Sequence, residues 1–117
     1  MDAWGWEEET DFSNRIGTAR GSTGTLTCSV SYSEQASYSA NVSVSSGIVS
    51  AGVGYSVTKT FTLTDSLSVD TEGKTTVINA YPIYEITWYD VFDIDGDEIG
   101  SGWAMRLVGA QFIVNQY

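Results

Sequence analysis

A long uncharged stretch of alternating apolar and polar residues constrains this chain more than any other feature. Residues 35–58 contain no Asp, Glu, Lys or Arg, and residues 21–64 carry only Glu34 and Lys59. Side chains that alternate with a period of two indicate a half-buried β-strand. The stretch therefore predicts paired strands with one apolar and one uncharged polar face.

The alternation changes phase in the middle of this stretch, as a tight hairpin requires. Placing the turn at Ser46-Gly47 sets Val44 opposite Val49 and predicts a hairpin over 35–58, with a four-residue loop from Ser45 to Ile48 as the alternative. Its apolar face consists of Ala36, Tyr38, Ala40, Val42, Val44, Val49, Ala51, Val53, Tyr55 and Val57. Its polar face consists of Ser37, Ser39, Asn41, Ser43, Ser50 and Ser56.

The rest of the chain also favours strands, because Ser, Thr, Val and Tyr are frequent and strong helix formers are sparse. The only helix candidate is a short turn at residues 7–9. Residues 75–93 are apolar on both faces, which predicts a central strand covered on both sides. With 117 residues, we predict a single all-β domain. It would be an antiparallel sheet or sandwich over 21–117, preceded by an acidic, aromatic N-terminal arm over 1–20.

Charge and composition exclude several functions. The formal net charge is -10 with only five Lys and Arg, so nucleic acid is not an expected partner. The absence of histidine excludes Ser-His-Asp and Cys-His catalysis, and we predict no enzymatic activity. Cys28 is the only cysteine and is expected to be a small buried residue. Low Lys and high Ser, Thr, Gly and Tyr favour a secreted protein.

Two features suggest ligand sites, each with a plainer alternative. Asp93, Asp95 and Asp97 have the spacing that begins a calcium loop, but the pattern fails at Glu98 and Ala104. The alternative is a simple hairpin turn, so we expect no cofactor beyond weak calcium binding there. The candidate surface aromatics are Trp4, Trp6 and Trp103, which could stack on sugars or fill a core.

An uncharged polar face is unusual for a strand exposed to water, where charges normally block edge-to-edge pairing. It suits a membrane barrel with lipid outside and water inside. Each arm of the predicted hairpin has about 11 residues, near the length that a tilted transmembrane strand needs. The alternative is a Ser/Thr-rich strand pair covered by a neighbouring sheet or subunit.

The order of these segments resembles the aerolysin-like β-pore-forming proteins of the epsilon-toxin and mosquitocidal-toxin type. An amphipathic Ser/Thr-rich hairpin (38–64) is followed by a polar turn with Gly73-Lys74 and a strand rich in Val and Tyr (77–84). The resemblance covers about half of the chain. It implies secretion, homo-oligomerisation and insertion of the hairpin into a lipid membrane, with the apolar face toward lipid and the polar face toward the lumen.

Two other functions remain open at this point. The chain could be a structural subunit of a secreted β-rich assembly, with the arm docking on a neighbour. It could also be a carbohydrate-binding β-sandwich that uses its surface tryptophans.

Overall fold

A computed structural model describes all residues from Met1 to Tyr117 and contains seven strands and one helix. The elements are β1 (Asp2–Thr10), β2 (Gly17–Gly21), β3 (Thr25–Gln35), β4 (Ser37–Ala40), α1 (Ser46–Val53), β5 (Thr60–Asp70), β6 (Thr76–Phe92) and β7 (Glu98–Gln116). Strands make up 65% of the chain and helix 7%, which confirms the all-β prediction.

The strands form one antiparallel main sheet and one separate two-stranded ribbon. In the main sheet β6 is central: β1 and β2 pair along one of its edges, and β7 pairs along the other. β4 pairs with residues 102–105 on the far edge of β7. The ribbon consists of β3 and β5, paired over all 11 residues of each strand. The molecule is elongated, with extents of 66 × 21 × 18 Å.

The buried side of β6 changes along its length. Even-numbered residues, which we call face A, are buried from Thr76 to Tyr84, whereas odd-numbered residues, face B, are buried from Thr87 to Val91. Because side chains alternate along a strand, the sheet has a separate core on each face. β6 is central in the main sheet, as the apolar pattern of residues 75–93 predicts, but neither end of it is covered on both faces, which corrects that part of the prediction.

The two cores have different covers. On face A the ribbon packs Cys28 and Val30 against Ile78 and Ala80. Gly17 allows this close approach, because a Cβ there would lie 2.8 Å from Val30 Cγ2. On face B the cover comes from the segment between β4 and β5. The buried residues of that core are Val49, Val57, Tyr89, Val91 and Ala104.

The predicted hairpin over 35–58 is not formed in this fold, which corrects the expected strand pairing. Residues 37–40 pair with β7, and residues 46–53 form α1. The physical reason is burial: an isolated hairpin would leave its apolar face in water. Helix and loop instead bring Val49 and Val57 onto face B, where both are fully buried.

The N-terminal region also differs from the expectation. Residues 2–10 and 17–21 are not an arm but strands β1 and β2 of the main sheet. The helix candidate at residues 7–9 was wrong, since these residues lie within β1 opposite Ile86, Glu85 and Tyr84. Pairing with β6 outweighs the helix preference of three consecutive glutamates.

The burial of Cys28 gives a direct test of the face A core. The residue is 1% exposed, and burial raises the pKa of its thiol. We expect negligible labelling by a water-soluble aromatic disulfide at pH 8 in the folded chain, because little thiolate forms and the reagent has no access. One equivalent should react once the chain is unfolded in guanidinium chloride. Rapid labelling under native conditions would contradict this packing.

Candidate functional site

The predicted site residues lie in the segment 36–59, which connects the two strands of the ribbon. At its base the Ala36 N–H donates to Lys59 O (2.8 Å), and Gln35 Nε2 donates to Thr58 O (2.9 Å). The chain therefore leaves the ribbon and returns to it at adjacent points. Between them it crosses the edge of β7 and covers face B.

The structure brings most of the predicted apolar face together, though not as a hairpin. Eight of its ten residues join Tyr89 in the face B core. Val49 and Val57 are fully buried there, and the partly buried members are Tyr38, Ala40, Val42, Val44, Val53 and Tyr55. Ala36 is buried at the base of the segment, and Ala51 alone is exposed. Of the predicted polar face, Ser39, Asn41, Ser43 and Ser56 are exposed, and Ser37 and Ser50 are half-buried. The apolar pattern is thus used for burial within the chain.

Few hydrogen bonds tie the first half of the segment to the sheet. The Asn41 N–H donates to Ser101 O (3.1 Å), and the Ser101 N–H donates back to Asn41 Oδ1 (2.9 Å). The buried Tyr89 hydroxyl donates to Ser39 O (3.0 Å). With the four-residue pairing of β4 and β7, these contacts fix only residues 37–41.

α1 is a weak helix by its own sequence. It has eight residues, including Gly47, Gly52 and three β-branched residues, with no acid in the first turn and no base in the last. The two glycines alone cost about 2 kcal/mol relative to alanine, and isolated helices this short are unstable in water. The Ser45 side chain accepts the Ile48 N–H at one end, and Gly54 (φ 88°) closes the other. The helix therefore depends on the burial of Val49.

A charged and aromatic cluster anchors the second half of the segment. Glu85 and Arg106 are cross-strand partners on face B, with carboxylate and guanidinium 3.2 Å apart. The guanidinium carbon of Arg106 lies 4.4 Å from the Tyr55 ring centroid and 5.8 Å from that of Phe61. A cation over an aromatic face is attractive, more so when partly desolvated. Sequence reasoning missed this cluster because the pairing of Glu85 with Arg106 depends on the β6–β7 register.

The cluster is incompletely satisfied. Tyr55 Oη and Arg106 Nε are buried without a hydrogen-bond partner. Burial raises the pKa of Tyr55 to about 12, although the positive charge of Arg106 acts in the opposite direction. An unsatisfied buried donor costs about 1–3 kcal/mol, so this contact holds the segment less firmly than its geometry suggests.

The remaining predicted sites lie outside the segment. The aspartates 93, 95 and 97 form the β6–β7 turn, where Asp93 Oδ1 accepts the N–H groups of Asp95 and Asp97, each at 2.9 Å. No group of three or more His, Cys, Asp or Glu side chains is placed to hold a metal ion. The tryptophans 4, 6 and 103 all lie at the surface, with 64%, 67% and 38% of their areas exposed.

Comparison of the chain with models of known protein families and with curated proteins gave no match. With eight residues, α1 is too short to cross a lipid bilayer as a helix, and the chain has no other helix.

Tyr55 should make stability depend on alkaline pH. Its pKa is about 12 in the folded chain and about 10 when unfolded, so its contribution is complete below pH 10 and declines as the pH rises through 12. We expect Tyr55→Phe to be at least as stable as the parent at pH 7, since the lost hydroxyl makes no hydrogen bond. Its free energy of unfolding should also fall less steeply between pH 10 and 12 in urea titrations.

The exposed residue Tyr117 supplies the control, because Tyr117→Phe should leave the pH dependence unchanged. Tyr84 and Tyr89 also have pKa values raised by burial, so Tyr55→Phe should reduce the alkaline slope without abolishing it. Identical slopes in the two variants would contradict the burial of the Tyr55 hydroxyl.

Proposed function

We propose that this chain is a secreted, membrane-inserting β-protein. Segment 36–59 leaves face B and extends the ribbon into one long hairpin, and the hairpins of several copies form a transmembrane barrel. The observation that carries the proposal is the register of the ribbon, whose continuation into the segment keeps every apolar residue on one side.

The register is explicit in the ribbon. Thr25 lies opposite Asp70, and Gln35 lies opposite Thr60, so partner numbers always add up to 95. Continued into the segment, this rule places Tyr38 opposite Val57, Val42 opposite Val53 and Val44 opposite Ala51. Strand pairing fixes faces as well as partners, so the apolar residues of 36–44 and 49–57 would share one side of the hairpin, with Glu34 and Lys59 on that same side at its base.

The continued register moves the turn of the hairpin relative to the sequence-based prediction. Ser46 would pair with Val49, and Gly47-Ile48 would form the two-residue turn in place of Ser46-Gly47. A glycine at the first turn position suits a type II′ turn, which needs positive φ there. The turn moves by one residue and the pairing slips by two, so that Val44 lies opposite Ala51 instead of Val49; an even slip preserves both faces.

The dimensions and charges of the extended hairpin fit a bilayer. Each arm of the segment has about 11 residues, or about 36 Å at ~3.3 Å per residue. A tilt of about 40° reduces this to about 28 Å, close to the ~30 Å hydrocarbon core. The only charge on these arms is Lys59, at the base where the segment joins the ribbon.

The open edges of the ribbon support oligomerisation. β3 pairs only with β5, and β5 only with β3, so each has an outer edge of 11 residues without a partner strand. Unpaired edges are templates for strand addition. In a barrel, the edge of one ribbon would pair with the edge of the next.

The first experiment links the segment to the sheet through a disulfide that a reducing agent can open, and we call this disulfide the lock. Ser37 and Met105 are cross-strand partners of β4 and β7, so Ser37→Cys with Met105→Cys, in a Cys28→Ala background, can form a disulfide. We expect the oxidised protein to release no dye from liposomes and the reduced protein to release it.

A pair of cysteines within the ribbon is the matched control for the lock. Thr27 and Ser68 are exposed partners that stay paired in both states, so Thr27→Cys with Ser68→Cys should release dye whether oxidised or reduced. Release by the oxidised Ser37–Met105 protein would refute the proposal. Stable multimers without lipid and no release from either reduced protein would favour the assembly function instead.

Ala51 separates insertion from folding. It is the one exposed residue of the predicted apolar face, so Ala51→Arg should leave the folded chain intact. On the lipid side of a barrel, arginine costs about 2–4 kcal/mol at the midplane and about 0–1 kcal/mol near the interfaces. Ala51, the third residue of its arm, lies between these depths, and we expect liposome release to fall at least about fivefold. Ser43→Arg, an exposed residue of the polar face, should change release less than about twofold. Equal effects of the two variants would exclude the predicted faces.

A substitution at Gly47 should stabilise the folded chain and, at the same time, hinder formation of the inserted hairpin. No atom lies within 4 Å of a Cβ built at this helical position, so Gly47→Ala should stabilise the folded chain by about 0.5–1 kcal/mol. The same change strains a turn that needs positive φ. We expect a higher midpoint of urea unfolding together with slower liposome release. Faster release would place the turn elsewhere.

A further inference from the structure

The end of face A that the ribbon leaves uncovered carries a cluster of two exposed tryptophans and one half-buried tryptophan, which we call the tryptophan face. Trp88 of β6 and Trp103 of β7 are cross-strand partners, and so are their neighbours Ile86 and Met105. Trp4 lies at the bulge in β1, and its ring stacks on Trp88 with centroids 6.0 Å apart and planes at 24°. A shallow groove of about 220 Å³ is lined by the side chains of the two cross-strand pairs, and Trp4 lies beside it against Trp88.

Carboxylates border the tryptophan face, and no cation balances them. Asp90 follows Trp88 on the same face, and Asp2 lies directly opposite Asp90 in the strand pairing. Like charges directly opposite each other on neighbouring strands destabilise a sheet. Neither carboxylate makes an ion pair or a side-chain hydrogen bond, since the chain's only salt bridges are Lys74–Glu72 and Arg106–Glu85.

The indole rings also lack cationic partners. The cation–π contacts of the chain are made by Lys59 and Arg106 with Tyr55 and Phe61. Three indoles beside two unpaired carboxylates are complementary to a weakly hydrated cation, and quaternary ammonium groups bind to such aromatic surfaces. A neutral glycan could stack on the rings but would leave the opposed carboxylates without a counter-charge.

We propose that the tryptophan face binds the quaternary ammonium of choline lipid headgroups. The choice of a lipid as the source rests on the membrane function proposed above. A cleft of about 540 Å³ connects the two sites, because it is lined by Glu34 and Gln35 at the end of the ribbon and by Ile86 and Met105 of the tryptophan face. A net charge of -10 disfavours anionic lipids, so a zwitterionic headgroup is the matching membrane ligand.

The ligand chemistry is tested without any membrane. The full chain is titrated with tetramethylammonium chloride and with phosphocholine while tryptophan fluorescence is recorded, with sodium chloride and inorganic phosphate at matched ionic strength as references. We expect a saturable change with the first two compounds only. Trp4→Ala and Asp90→Asn should each weaken binding by about fivefold or more.

Trp6 is the matched control. It lies on the same strand as Trp4 with nearly equal exposure, 67% against 64%, but it pairs with Thr87 and therefore points to face B. Trp6→Ala should change the affinity less than about twofold. Saturation by neutral oligosaccharides without any response to phosphocholine would overturn the proposal in favour of a glycan site, and absence of saturation by tetramethylammonium would overturn it outright.

Vesicles identify the source of the ligand. The chain should co-sediment with phosphatidylcholine vesicles and at least about fivefold less with vesicles in which most of this lipid is replaced by phosphatidylethanolamine, which is also zwitterionic, and Trp4→Ala should abolish the difference. Equal binding to and dye release from both vesicle types would overturn the headgroup proposal while leaving the hairpin proposal standing. Choline-dependent binding without dye release would overturn the hairpin proposal and leave the headgroup proposal standing.

Discussion

The strand β6 is buried on face A at one end and on face B at the other, and the rest of the structure depends on this constraint. One 17-residue strand must bury even-numbered side chains near Ile78 and odd-numbered side chains near Tyr89. Each end therefore needs its own cover, and a chain of this size has only two amphipathic units to supply them. The ribbon covers one end, and the segment that connects its strands covers the other.

This arrangement makes the two covers unequal. The ribbon is held by a full antiparallel ladder and by a core around Cys28, whereas segment 36–59 combines a four-residue strand with a glycine-containing helix. The burial of Val49 and Val57 stabilises the segment, while unsatisfied groups at Tyr55 and Arg106 oppose it. The segment has little stable secondary structure of its own and is held mainly by the burial of apolar side chains. Such a segment can adopt a second conformation in which the same side chains are buried elsewhere. The partly uncovered sheet also leaves the tryptophan face in contact with solvent.

The strand content and the central position of β6 could be predicted, because a period of two and the scarcity of helix formers are local properties. The alternation of segment 36–59 was also correctly recognised, but its conformation was not. The same apolar residues that would line one face of a hairpin also fit the surface of Tyr89 and Val91, and local pattern does not distinguish the two. The N-terminal strands were missed for a related reason: pairing with β6 outweighs the helix preference of residues 7–9.

By itself, the amino-acid sequence determined which residues can share an apolar face, where charge is absent and that strands dominate, since these follow from side-chain type and spacing. Only the tertiary structure decided the register of the ribbon, the exchange of buried faces in β6 and the contact of Arg106 with Tyr55. These depend on residues far apart in the chain. Their free energies come from burial and pairing that exist only once both partners are in place.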